Sequence, residues 1–568
     1  MRILVIAFLL NSATATAQLF STPGYPKGYF RNPLNIPIFL SGNFGELRSN
    51  HFHMGLDIKT QARENLPVYA AADGYIARIK IEPGGFGRAI YINHPNGFTT
   101  LYAHLNVFNP ALESWVKQQQ YQQESWAVLI ELPPGQFPVK KGDYLANSGN
   151  TGGSQAPHLH FEIRQTINDV NLNPFLFGLP IPDNVRPRIV RLAVYDRTKS
   201  TYEQSPRFIP VKAAGAASFI TTPALVKVSS PKISFAINGY DMINGAANHV
   251  GIFESVLYMD EQAVAGFRMD NISYNDTRYL NAHIDYKTRT LASAWLQHLS
   301  ELPGFIHSIY KKGTGDGVLD VSDGQVHIIK VEVKDAAGNT SALTYKVQYT
   351  GTPTPEAAVA GKEFYPLMID GFESPDCEFY IGERCLYDSV HIKYTQSAAT
   401  SPLAVSAIHS IGERYIPLQE AFLIRIQPGR VLTTAEKSRT VMQWFSGSHK
   451  TVQKVDWQEN WATARFRDFG SYQLLVDTEP PVIVPVGFTD GANLQKASRI
   501  VFTIKDNLEV FTKVRAELDG KWLRFTNDKG RMFIYYFDER CPPGGHTLTI
   551  SAEDEAGNAV VKSFTFTR

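Results

Sequence analysis

Three cysteines in 568 residues are too few to staple a chain of this length, so its stability has to come from apolar cores. Net charge of either sign is missing too. With 55 Lys and Arg against 54 Asp and Glu, the balance is +1, which supplies no basic field for capturing nucleic acid or an anionic membrane. Beyond the first residues no apolar run reaches transmembrane length. Helix signals are scarce. What is present is ordinary: 43% hydrophobic and 12% aromatic residues, as expected of packed domains rather than disorder. At roughly 100–200 residues per domain, the length predicts three to five of them.

The first seventeen residues differ from the rest. Arg2 gives a positive start, Ile3 to Leu10 an apolar run too short to span a bilayer, and Ala15-Thr16-Ala17 a small-x-small cleavage site. These features predict a signal peptide over 1–17 and an exported mature chain, periplasmic or facing the cell wall. No cysteine stands at the cleavage point to take a lipid. In such a compartment Cys377 and Cys385 could close a small disulfide loop, leaving Cys541 unpaired; three buried free thiols are the alternative.

Asn109-Pro110 followed by Leu112, Trp115 and Val116 predicts a helix over Pro110 to Gln123. A second candidate lies at Leu291 to Leu299. Most of the remainder alternates apolar and polar residues between Gly, Pro, Asn and Asp, the pattern of half-buried antiparallel strands. Two such strands run into the same punctuation, Asp335-Ala336-Ala337-Gly338-Asn339 and Asp554-Glu555-Ala556-Gly557-Asn558. This internal repeat suits a tight hairpin. Each copy follows an earlier strand ending in Asp, Ile233 to Asp241 and Val501 to Asp506. Calcium binding is a second reading of these residues, but turn chemistry explains them more simply. Asp-x-Ala-Gly-Asn closing a strand resembles bacterial immunoglobulin-like domains.

Proline-rich joints stand at Pro180 to Pro187, Thr352-Pro353-Thr354-Pro355 and Glu479-Pro480-Pro481. They divide the mature chain into residues 18–180, an immunoglobulin-like β domain over 185–350, a β domain over 356–478 and a C-terminal immunoglobulin-like β domain over 480–568. The expected fold class is mainly β: an antiparallel β-sheet domain with a helical insertion, then three β-sandwich-like modules.

The chemistry concentrates at the front. His51, His53, His94, His104, His158 and His160 all precede residue 165, together with Asp57. In Pro157-His158-Leu159-His160-Phe161-Glu162-Ile163, alternation puts His158, His160 and Glu162 on one strand face and the apolar residues on the other. Between His53 and Asp57 the extended chain spans roughly 13 Å, so it must bend for both to reach one ion, and Gly55 permits the bend. A His and a carboxylate joined by one His of the strand would make a three-ligand zinc site with an open position. No His-Glu-x-x-His motif is present. His51 is a further candidate ligand, His94 reads as structural or on the groove rim, and His283, His298 and His307 read as structural.

Asn43-Phe44-Gly45-Glu46-Leu47-Arg48 leading to His53-x-x-x-Asp57, then Tyr102-Ala103-His104-Leu105, then Gly149-Asn150-Thr151-Gly152-Gly153-Ser154 leading to Pro157-His158-Leu159-His160-Phe161-Glu162, resemble the lysostaphin and LytM-type zinc metalloendopeptidases. The likeness covers about 42–164. It implies Zn2+ on His53, Asp57 and His160, with His104 and His158 as the catalytic, non-ligand histidines that activate water and stabilise the oxyanion. His158 is favoured as base because it shares a strand face with a ligand. Glu162 reads equally as support for the site or as a structural ion pair. Two departures stand out. Ala156 replaces the usual Gly, and the stretch from Leu105 to Val139 is long, which predicts a lid or side wall.

By resemblance the expected partners are peptidoglycan stem peptides, cut within their cross-links, with the β modules as spacers or docking surfaces toward the wall or a protein partner. Competing readings are a non-catalytic activator of other wall hydrolases and a secreted protease with non-wall substrates. Residues 18–41, by position alone, are an expected inhibitory cover for the groove.

Overall fold

The computed structural model describes residues 18–306, 309–351, 358–530 and 532–568. The segment read as a signal peptide, the Thr352-Pro353-Thr354-Pro355 joint and His307 lie outside the described residues. Among those described the protein is mainly β, and no helix is long and apolar enough to cross a membrane.

The site-bearing sheet is antiparallel. Its strand order is Leu40–Gly42, Leu56–Lys59, His158–Gln165, Phe98–Ala103, Arg88–Asn93, Gly74–Ile81 and Val128–Glu131. Alternation along His158–Gln165 works as the pattern predicts: Leu159, Phe161 and Ile163 are fully buried in one core with Leu56, Ile58, Ile90 and Ile92. The strand is anchored from behind, leaving its other face to the histidines. A helix forms at Pro110–Gln122, where the Asn109 side chain accepts from the Leu112 N–H and Leu112 and Val116 face the core.

The second expected helix is displaced. Leu291 to Leu299 is not one element: a helix at Tyr286–Ala292 is capped by Asp285, which accepts from the Thr288 N–H, and stopped by Ser293 at φ 57°. Gln297–His298 then pairs with Lys232–Tyr240 as a strand. The cap and the left-handed stop outrank the apolar spacing that suggested a later helix.

Downstream, residues 188–349 contribute an eleven-stranded sheet and residues 370–476 two five-stranded sheets. Residues 482–567 form a three-stranded and a five-stranded sheet. Both copies of the repeated pentapeptide close hairpins, Val326–Lys334 with Thr340–Tyr349 and Gly545–Asp554 with Ala559–Thr567. Gly338 (φ 97°) and Gly557 (φ 88°) take the left-handed positions. All three cysteines are buried and free, so no disulfide joins Cys377 to Cys385.

The site-bearing part is fused to the first β module. Asn171–Leu172 pairs with Asn271–Ile272, and the Asn43 side chain bonds both the carbonyl and the N–H of Gly251. Phe44, Phe52 and Met54 share an apolar cluster with Phe267, Met269 and Ile272. Residues 18–25 run along this seam, and Phe30, Leu34, Ile38 and Leu40 of the same segment are buried in the site-bearing core instead of covering a groove. Phe20 lies under Arg268, Tyr25 stacks on Phe177 and bonds Asp270, and Phe30 is buried. The inhibitory-cover expectation is therefore withdrawn: an apolar segment of this kind is held by burial, not by the groove.

Because Phe52 is wholly buried at this seam, Phe52→Ala should destabilise the chain by about 3–5 kcal/mol. Calorimetry should show the transition that includes the site-bearing part moving to lower temperature.

Candidate metal centre

Strand register assembles the site. His160 pairs with Asp57 on one side and with Ala103 on the other, so Asp57, His160 and the residue before His104 form one row across three neighbouring strands. Cross-strand partners share a face, which places the carboxylate beside the imidazole. His53 enters from the preceding bend. Gly55 is required there for proximity: a Cβ would meet the Phe161 carbonyl at 2.5 Å and Glu162 Cγ at 2.8 Å.

The three expected ligands converge. Asp57 Oδ1 lies 2.8 Å from His160 Nδ1 and 3.0 Å from His53 Nε2, and the two ring nitrogens are 3.0 Å apart. All three side chains are buried. Hydrogen bonds fix the tautomers. His53 Nδ1 donates to the Asn43 carbonyl at 2.8 Å, and His160 Nε2 to Glu162 Oε1 at 2.8 Å. Each ring therefore turns a lone pair toward the carboxylate. Three acceptors this close exclude water and repel one another unless a cation stands among them. A tetrahedral zinc ion separates its ligands by roughly 3.3 Å, a few tenths more than seen here, so this N/N/O set fits zinc with slight widening.

Electrostatics agree with that demand. Burial alone would lower the His160 pKa, but its hydrogen bonds to Asp57 and Glu162 prevail and raise it to about 9. Burial drives His53 down to about 4 against the pull of Asp57. Burial would raise the Asp57 pKa, but where no metal is bound the protons carried by its histidine neighbours, through charge and hydrogen bonds, outweigh it and hold the carboxyl well below the usual range. The cluster holds one positive charge, as a proton where no metal is bound.

His158 and His104 stand beside the ligands. His158 Nε2 lies 3.3 Å from Asp57 Oδ1, and the two rings are 4.7 Å apart. His158 Nδ1 donates to the Ala156 carbonyl and His104 Nδ1 to that of Thr151, at 2.8 and 2.9 Å. Both rings thus offer a lone pair at Nε2. Burial, then the charges of His160 and His158, pushes His104 down to about 3. The Ala156 departure leaves its carbonyl in service, since the acceptor is backbone.

Glu162 takes both roles proposed for it. Fully buried, it accepts from His160 and, at 3.1 Å, from Tyr274 on one oxygen, and from Arg164 and Asn171 on the other. Burial would raise its pKa, but Arg164 leads the groups that lower it to about 2. Arg48 holds the outer oxygen of Asp57. His51 is exposed and bonds Ser49, away from the cluster. His94 is structural, bonded to the Asp73 carbonyl and Thr100.

The long Leu105–Val139 stretch does not act as a lid. Its helix is a platform for the C-terminal module: Lys117 pairs with Asp538 at 2.6 Å, Tyr121 meets Trp522 edge-on, and Gln120 bonds Arg524. From that module a loop reaches the groove. Lys529 Nζ donates to the carbonyls of Asn150, Gly152 and Ser154, while Asp528 accepts from the N–H groups of Gly152 and Gly84. These contacts hold the segment whose Thr151 carbonyl orients His104. Tyr274, Asp528 and Lys529 were missed, because only the folded chain brings such distant positions together; Arg48 stood in the Asn43–Arg48 motif but without a role.

Residues 51–121 match the pattern of Peptidase family M23. The chain carries a peptidase family M23 domain. The match takes in His53, Asp57 and His104, while His158 and His160 lie beyond it. Residues 369–477 match a Zu5-like domain. The DD-carboxypeptidase/endopeptidase Mpg of Neisseria meningitidis is 36% identical over 137 residues, 24% of this chain and 25% of that protein. The peptidoglycan DD-endopeptidase ShyC of Vibrio cholerae is 26% identical over 193 residues, 31% of this chain and 38% of the relative. The chain thus spans between a quarter and two fifths of the length of these relatives. The catalytic domain of lysostaphin from Staphylococcus simulans is 24% identical, covering 24% of this chain and 92% of that one, with a TM-score of 0.17.

The M23 domain can be tested at two of its supports. Glu162→Gln removes the charge that fixes the His160 tautomer, and zinc affinity, measured by chelator competition, should fall about 10–100-fold. Lys529→Ala frees three carbonyls beside His104, and kcat/KM on a cross-linked peptide should drop about tenfold with little change in melting temperature, since the residue lies in a surface loop.

Proposed function

We propose that the protein is an exported zinc endopeptidase that hydrolyses peptide cross-links in peptidoglycan, with His53, Asp57 and His160 as zinc ligands. The convergence of three mutually repelling lone pairs carries this reading. Zinc bound there would supply a Lewis acid that polarises the scissile carbonyl and brings a water's pKa toward neutrality. The chain's own residues do the rest. His158, its Nδ1–H held by Ala156 and its Nε2 free, takes the proton from the attacking water and returns it to the leaving amine.

The His104 tautomer sets a condition on the expected oxyanion role. With Nδ1–H given to Thr151, Nε2 donates only if the ring is doubly protonated, which burial opposes. We assign His104 the neutral state instead, accepting a hydrogen bond from the water and so aiming its lone pair. Glu162 and Arg48 keep His160 and Asp57 from rotating.

The substrate class draws on the relatives that carry the name DD-endopeptidase and on the predicted signal peptide. For a directly cross-linked wall, the scissile bond joins D-alanine to the diamino acid of the neighbouring stem. The zinc-loaded mature chain should release muropeptides from purified sacculi, identified by mass spectrometry, and a chelator should stop it. His158→Ala should lower kcat about 10²–10⁴-fold while zinc is retained. Intact sacculi together with stimulation of a separate amidase would instead make the protein a non-catalytic activator. Cleavage confined to glycine-rich polypeptides would replace the wall with a protein substrate.

A further inference from the structure

Away from the histidines, carboxylates gather at two other places in the fold. Oxygen atoms of Asp183, Asp241 and Asp335 lie within 4.8 Å of one another, and so do those of Asp477, Asp506 and Asp554. The two sets occupy matching positions. Asp183 and Asp477 sit in the segments that lead into Arg188–Asp196 and Val482–Val486; Asp241 and Asp506 directly follow the strands Lys232–Tyr240 and Arg499–Lys505. Asp335 and Asp554 open the repeated pentapeptide.

Turn chemistry accounts for one member of each set. Asn339 gives its backbone N–H (2.8 Å) and side-chain amide (2.7 Å) to Asp335, and Asn558 does the same for Asp554, both at 2.8 Å. Asp183, Asp477 and Asp506 each accept the N–H two residues on, from Val185, Glu479 and Leu508, with one oxygen, but such turns do not pair every carboxylate oxygen. Asp241 is 2% exposed and its Oδ1 has no hydrogen-bond partner among the described residues; Asp477 is fully buried and its Oδ2 is likewise bare. Both atoms belong to residues that point into the clusters. Burying bare carboxylate oxygens against two further carboxylates is strongly unfavourable unless a cation completes them.

We propose that each cluster is a calcium site, one at the joint between the peptidase domain and the first β module and one at the joint before the last. All the donors are hard oxygens, as calcium prefers, and separations within 4.8 Å match two Ca–O bonds of about 2.4 Å. Burial, followed by repulsion from Asp335 and from Asp183, pushes the Asp241 carboxyl up to about 8, partly offset by the Met242 N–H. A divalent ion removes that repulsion. At the second cluster Lys454 feels the charge of Asp554, yet its ammonium is directed at the Ser438 and Ala556 carbonyls. Each ion would tie the incoming linker to the far hairpin of its sandwich. Both sites stand apart from the zinc ligands and do not depend on the peptidase reading.

The test uses the zinc-loaded mature chain, so that the histidine site is filled, equilibrated with radioactive calcium at about 1 mM, the range typical of extracellular modules. Two calcium ions per chain are expected. Asp241→Asn should lose one, and Asp241→Asn with Asp506→Asn both. In calcium-free buffer the double variant should melt no lower than the parent, because it removes repulsion and keeps shape; calcium should then raise only the parent's melting temperature. Absence of bound calcium at about 10 mM, or full retention by the folded double variant, would overturn the proposal. Displacement by equimolar magnesium would overturn the choice of calcium.

Discussion

Everything at the peptidase site depends on one electrostatic constraint: two imidazole lone pairs and a carboxylate oxygen are held face to face at about 3 Å, an arrangement that needs a positive charge in its centre. The surroundings serve to keep that arrangement from relaxing. Asn43 and Glu162 fix which nitrogen of each ring is bare, Arg48 occupies the outer oxygen of Asp57, and the apolar backs of the strands are locked in the core. Without these supports the rings would flip to give N–H···O contacts and the demand for a cation would vanish.

The supports come from outside the minimal catalytic stretch. Tyr274 belongs to the first β module and touches Glu162, while Asp528 and Lys529 come from the last one. The first and last β modules are therefore structural parts of the groove that holds the histidines and not only spacers trailing behind it. Helix Pro110–Gln122 is the intermediary, with one face in the peptidase core and the other receiving the C-terminal module.

The legible part of this protein was whatever local periodicity encodes. Alternation around His158 and His160 revealed a strand with its histidines on one face, and Asn109-Pro110 revealed a helix start. The bend between His53 and Asp57 was also readable, although Gly55 is needed for close packing against Phe161 and not for a left-handed turn. Contacts between residues far apart in the chain were not legible. Residues 18–25 turned out to line a seam, and the histidine tautomers depend on which carbonyl each ring meets after folding, whereas the helix expected a turn later was displaced by a local signal, the Asp285 cap. The repeated Asp-x-Ala-Gly-Asn and the strand-ending Asp241 and Asp506 were visible, but that Asp183 and Asp477 would join them was not, since long stretches of topology intervene.

The loop at Asn527-Asp528-Lys529-Gly530 lies close to the C-terminal end, yet it braces the segment that holds Asn150 and Gly152. Synthesis proceeds from the other end, so a nascent or prematurely terminated polypeptide can carry every histidine of the site and still lack a rigid groove. A groove built this way is complete only once the module that carries Asp528 and Lys529 has docked against it.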